Sequence, residues 1–152
     1  MEEKELNKIV NEIKKDFFLY RNGIITDHLK KIYPAGTLIY GLNVPQLKEL
    51  SKKYPKDLDL SLILWKEKKI REARLLSIFL MPSENLQAEI AKDLIRDIES
   101  VEQAEFLAFK VLRNIPKAHD IFTEIKGEKN LSPLSSYCLE MFQKNLIDEV
   151  GL

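Results

Sequence analysis

The chain has 152 residues, 45 % of them hydrophobic and 32 % charged, and its 24 Lys+Arg balance 24 Asp+Glu to a formal net charge of zero. That composition excludes the disordered and fibrous classes and fits one globular domain, residues 1–152, with a heavily charged outer face. A lone cysteine, Cys138, excludes an internal disulfide framework and a cysteine-built zinc site, so a reducing, cytoplasmic setting is expected.

The opening residues MEEKELNKIV are charged and lack an apolar core, so no signal peptide is expected. The apolar stretch from Leu75 to Ser83 is too short to span a bilayer. The charge is unevenly spread. Residues 1–76 hold 16 Lys+Arg against 11 Asp+Glu, a balance of +5, and residues 77–152 hold 8 against 13, a balance of −5. A basic half can meet a polyanion even in a neutral protein; a solvated surface with uneven lysines is the plainer alternative.

Leu6, Ile9, Val10, Ile13 and Phe17 lie on one helical stripe, so the first twenty residues read as an amphipathic helix broken by Gly23. A short helix is expected from about Thr26 to Tyr33, ending at Pro34, followed by the connection AGTLIYGLN. Asn43 then reads as an N-cap, with Pro45 in the first turn and Gln46 three residues after the cap. That helix carries Leu47, Leu50 and Tyr54 and stops at Pro55.

From there a pattern recurs: helix, proline stop, short loop, second helix. It appears in LKELSKKYP-KDLDLSLILW, in ARLLSIFLMP-SENLQAEIAKDLI and in EFLAFKVLRNIP-KAHDIFTEI. Pro55, Pro82 and Pro116 each force the preceding residue out of helical geometry. Ser83 and Ser100 read as further N-caps, the latter with Gln103 three residues on, and Ser132-Pro133 opens a last helix. The expected fold is all-α, an α-α superhelix of HEAT-like helix pairs with about nine helices and no strand. An irregular orthogonal bundle is the competing architecture.

No phosphate-binding loop, nucleophile elbow, metal-ligand cluster or calcium loop is present, so neither a cofactor nor a metal is expected. His28 and His119 lie on different predicted helices and read as surface or packing residues; Cys138 and Trp65 read as core. Glu105 stands among Ala104, Phe106, Leu107 and Ala108 with no cationic neighbour on its own helix. A carboxylate there must reach solvent, a groove or a cation from an adjacent repeat. Arg71 and Arg74, one turn apart, are candidates for a shared groove or for pairing with that carboxylate. Lys30, Lys31, Lys52, Lys53, Lys66, Lys68 and Lys69 mark successive helix ends as a candidate phosphate track, which Lys110 and Arg113 extend into the next repeat. Structural ion pairs and ordinary solubilising lysines are the plain alternative for all of these.

The segment YGLNVPQLKELSKKYPKD followed by LILWKEKKIREARLLSIFLMP, Tyr40 to Pro82, resembles the DNA alkylation repair family of HEAT-like alkylpurine DNA glycosylases. Gly41, Pro45, Leu47, Leu50, Leu64, Trp65, Glu72, Ala73, Arg74, Leu75 and Leu76 match its landmarks in order, and the likeness extends more weakly from about residue 10 to 115. The resemblance implies a basic surface that cradles duplex DNA and excision of N3- or N7-alkylated purines without a flipped-base pocket. It also implies an aspartate that stabilises the developing sugar cation. The family's tryptophan and aspartate, four residues apart, fall here on Val101 and Glu105, and the arginines of its next repeat have no counterpart between Lys129 and Lys144. The expectation is a protein that binds damaged or distorted duplex DNA with weak or absent glycosylase activity, Glu105 being the candidate catalytic residue. A non-enzymatic scaffold whose groove takes a protein segment is the alternative.

Overall fold

A computed structural model describes residues 1–150, with side chains described through Lys144. The described residues are all-helical, as expected: nine α-helices and no strand, only an isolated parallel bridge between Leu38 and Ile70. The chain divides into two compact units, Met1–Met81 and Pro82–Leu152.

The first unit holds five helices: α1 (Glu3–Leu19), α2 (Gly23–Leu29), α3 (Val44–Ser51), α4 (Leu58–Lys66) and α5 (Arg71–Leu80). The predicted stripe of α1 is the buried one, with Ile13 and Phe17 fully enclosed. Each such side chain contributes roughly 1.5–3 kcal/mol of transfer free energy. Gly23 does not end the first helix, which stops at Leu19. It opens α2, because the side chain of Asn22 accepts from the N–H groups of Ile24 and Ile25 and so caps a helix that ends near Leu29 rather than Tyr33. The Asn43 signal holds in full. Its side chain accepts from Gln46 N at 2.9 Å, and the Gln46 side chain accepts from Asn43 N at 2.9 Å, a reciprocal capping box.

The connection between α2 and α3 is tied to the start of α5. Leu38 exchanges backbone bonds with Lys69 and Arg71, at 2.6 and 3.1 Å. The wholly buried carboxylate of Glu72 accepts from Tyr40 N at 2.9 Å, from Gly41 N at 3.2 Å and from Arg71 Nη1 at 2.7 Å. Arg71 Nη1 also donates to Leu42 O at 2.7 Å. Gly41 has φ +97°, and a Cβ there would come within 2.2 Å of the backbone oxygen of Asn22. Only glycine fits. On the buried face of α1, Asp16 is held by the Tyr54 hydroxyl and by Lys53 Nζ at 3.0 Å.

The second unit holds α6 (Ala88–Arg96), α7 (Val101–Phe106), α8 (Ala118–Ile125) and α9 (Pro133–Val150). Ser83 opens a short 3-10 turn (Ser83–Asn85) instead of capping α6, whose N-cap Gln87 gives no side-chain bond. Ser100 does cap α7, accepting from Gln103 N at 3.1 Å while Gln103 Oε1 accepts from Glu99 N at 2.9 Å. After α7 the chain widens into a π turn, Leu107–Val111, and tightens into a 3-10 turn, Leu112–Asn114. Ser132 accepts from Ser135 N at 3.0 Å at the head of α9, and the Ser135 hydroxyl donates to Ile95 O at 2.5 Å, joining α9 to α6.

Removing the Glu72 carboxylate takes the charge partner from the buried Arg71 guanidinium and the acceptor from the N–H groups of Tyr40 and Gly41. Glu72→Ala should lower unfolding free energy by about 3–5 kcal/mol, read as a lower urea midpoint. An unchanged midpoint would show that this carboxylate does not hold the connection.

Candidate nucleic-acid interface

The candidate cations of the first unit fall into two groups. Lys30 ends α2 and Lys31 lies in the turn beyond it; both are exposed, and neither has an ion-pair partner among the described residues. Lys52 pairs one helical turn back with Glu49 at 2.8 Å, and both side chains are exposed. That hydrogen bond and the lysine's charge hold the Glu49 carboxyl below its usual range. Lys53 is exposed along its length yet bonded to Asp16, which raises its pKa above the ordinary lysine value. Lys66, Lys68 and Lys69 are exposed as well.

Arg71 and Arg74 do not lie open to a groove. Their exposures are 2 % and 0 %. Arg71 is committed to Glu72 and Leu42, as described, and the Arg74 guanidinium lies over the Trp65 ring, 3.9 Å from its centroid. Trp65 is core, as its sequence position indicated. Neither the shared groove nor the pairing with Glu105 is found, because a helical period of three says which residues share a face and nothing about what that face meets.

In the second unit Glu105, half-buried on α7, has the partner its own helix could not supply: the Tyr137 hydroxyl of α9 donates to Oε1 at 2.8 Å. The bond, with some burial, raises the Tyr137 pKa above its ordinary 10.0. Val101, one turn before Glu105, is 53 % exposed. Lys110 sits in the π turn and Arg113 in the 3-10 turn after it, both exposed. Tyr137 stands on the helix that Ser132-Pro133 opens. Pairing residues 32 apart is decided by packing.

A further feature had no sequence signal. Tyr20, Asn43, Pro45, Gln46, Glu49, Leu50 and Lys53 line a groove of about 440 Å³ beside α3. Of the remaining residues, His28 is exposed and His119 lies against Phe122, ring centroids 6.4 Å apart. Cys138 is fully buried, which pushes its thiol up to about 12. Among the described residues no group of His, Cys, Asp and Glu could hold a metal ion, and no helix is long and apolar enough to cross a membrane.

The molecule is thus an all-helical protein with cations gathered at helix ends and a half-buried carboxylate on a short helix. The sequence model described as DNA alkylation repair enzyme matches residues 13–130. The chain belongs to the DNA alkylation repair family. No curated protein and no solved structure matches it.

Two measurements probe this geometry. The fold favours the neutral phenol of Tyr137, so its contribution to stability is present below the ordinary 10.0 and lost as pH rises through the higher folded-state value. An absorbance titration should show Tyr137 ionising above that value, and Glu105→Gln should bring it back down; an unaltered titration would exclude the bond. Native Cys138 should resist a thiol reagent that labels it fully in denaturant, because only an exposed thiolate reacts.

Proposed function

We propose that the protein binds duplex DNA carrying alkylated or distorted bases and excises bases weakly or not at all. Membership of the DNA alkylation repair family over residues 13–130 is the observation that carries this reading. The cation positions support it. In the first unit Lys30 and Lys31 are exposed without ion-pair partners, and Lys52 holds only a solvent-exposed carboxylate that a phosphate can displace. In the second unit Lys110 and Arg113 are exposed on the turns that follow α7. The buried Arg71 and Arg74 are assigned to the fold and not to phosphate.

The chemistry supports limited catalysis. A purine alkylated at N3 or N7 is already cationic, which weakens its bond to the sugar, and a carboxylate beside the sugar lowers the barrier by opposing the positive charge that develops there. Glu105 is the residue of this chain assigned that role. Its carboxylate already accepts the Tyr137 hydrogen bond, which spends part of its charge, and Val101 in place of an aromatic wall leaves it less shielded from water. Both features reduce the stabilisation it can give. No metal or cofactor is required for this step.

The test is fluorescence anisotropy with an unmodified duplex and one carrying an abasic or alkylated-base mimic, across a range of salt. Contact with about four phosphates should give log K against log salt a slope of roughly −3.6, and Lys30→Ala with Lys31→Ala should make it shallower by about 1.8. Tighter binding to the lesion duplex is expected. Absence of salt-dependent binding at low salt would overturn the proposal and favour a protein partner. If base excision is detected, Glu105→Gln should abolish it; undiminished excision would remove Glu105 from the reaction.

A further inference from the structure

The groove beside α3 shares with that reading only Glu49, the partner of Lys52. Its polar groups are set by the capping box. A backbone N–H can only donate, so Oδ1 of Asn43 and Oε1 of Gln46 are pinned to the two N–H groups, each at 2.9 Å. The carboxamide NH2 ends of both residues are therefore turned away from the backbone, donors without a partner among the described residues. Gln46, Glu49 and Leu50 share one face of α3, i, i+3 and i+4, and Lys53 stands in the turn beyond its end. Along the groove this sets amide donors, then a carboxylate, then an ammonium group. Tyr20, 49 % exposed, and Pro45 add flat apolar walls.

We propose that this groove binds a guanine base. Guanine carries two acceptors, O6 and N7, on one edge, and donors, N1–H and the N2 amine, on the next. The amide donors of Asn43 and Gln46 meet the acceptors, and the Glu49 carboxylate, bonded to Lys52 through Oε1, has Oε2 left for the donors. Adenine offers a donor, its N6 amine, where guanine has O6. Each amide oxygen already accepts a backbone N–H, so the NH2 ends are what oppose that amine. Lys53, fixed by Asp16, retains a proton for O6 or for a phosphate on the sugar. Tyr20 supplies a stacking face. The volume of about 440 Å³ lies within the range that holds small ligands.

A free guanine nucleotide and an unstacked guanine in DNA share this chemistry, so the experiment separates them. Guanosine and adenosine monophosphates are titrated into the full chain by calorimetry, and duplexes with a single bulged guanine or adenine are compared by anisotropy. Guanosine monophosphate should bind at least about tenfold more tightly than its adenosine counterpart, the discrimination expected of one well-placed pair of hydrogen bonds. Glu49→Gln should collapse the ratio, since an amide NH2 then opposes guanine's donors, whereas Tyr20→Ala should weaken both nucleotides alike. Both positions are exposed, and circular dichroism checks that the variants fold. A guanine preference in the bulged duplexes assigns the site to DNA; preference only among free nucleotides assigns it to those. Equal binding of the two nucleotides, no binding at millimolar concentration, or a preference that survives Glu49→Gln would overturn the proposal. Duplex binding through Lys30 and Lys31 is read separately, so either proposal can fail while the other stands.

Discussion

The buried carboxylate of Glu72 is the constraint on which the first unit depends. It gathers the Arg71 guanidinium and the N–H groups of Tyr40 and Gly41 at the head of α5. A lone charge in such a place costs several kcal/mol, and its three donors offset that cost only while the connection stays where it is. The connection therefore has little freedom. Gly41 passes so close to Asn22 that no side chain fits, and Asn22 in turn caps α2 and donates its N–H to Tyr40 O at 2.9 Å. One carboxylate thus positions α2, the loop and the start of α3. The α3 capping box begins one residue beyond Leu42, whose carbonyl Arg71 holds, so the groove beside α3 inherits its shape from a charge pair that never meets solvent.

The second unit is joined by smaller polar contacts set into an apolar core. Ser135 links α9 to the end of α6, and the ring pair Phe122–Phe142, 5.9 Å between centroids, packs α8 on α9. On the surface Arg96 grips Glu128 with paired bonds, and Lys92 meets Glu124, tying α6 to the end of α8. The π turn after α7 carries Lys110 where regular helix would have run on. Such turns mark places where packing or function overrides regular geometry.

Most of the fold could be read in order along the chain. Asn43, Ser100 and Ser132 announced their helices because capping is a local transaction between residues two or three apart. The stripe of α1 was legible for the same reason: a period of 3.6 exposes one face to the core whatever the core is made of. Gly23 and Ser83 were misread because each has a neighbour whose role outweighed its own. Asn22 caps the helix that Gly23 then opens, and Pro82 commits Ser83 to a tight turn.

Sequence alone settled the class of the molecule, its helices and its family, since these follow from local spacing and from a motif whose residues lie close together in the chain. Tertiary structure decided what the charged residues do. Arg71 and Arg74 read as candidates for a shared groove, yet both are enclosed together with Glu72. Glu105 lacked a partner within its helix and has one in α9. The groove joins Tyr20 to residues of α3 more than twenty positions away. The physical reason is the same in each case. A charge is judged by the dielectric and the partners around it, and those come from segments distant in the chain.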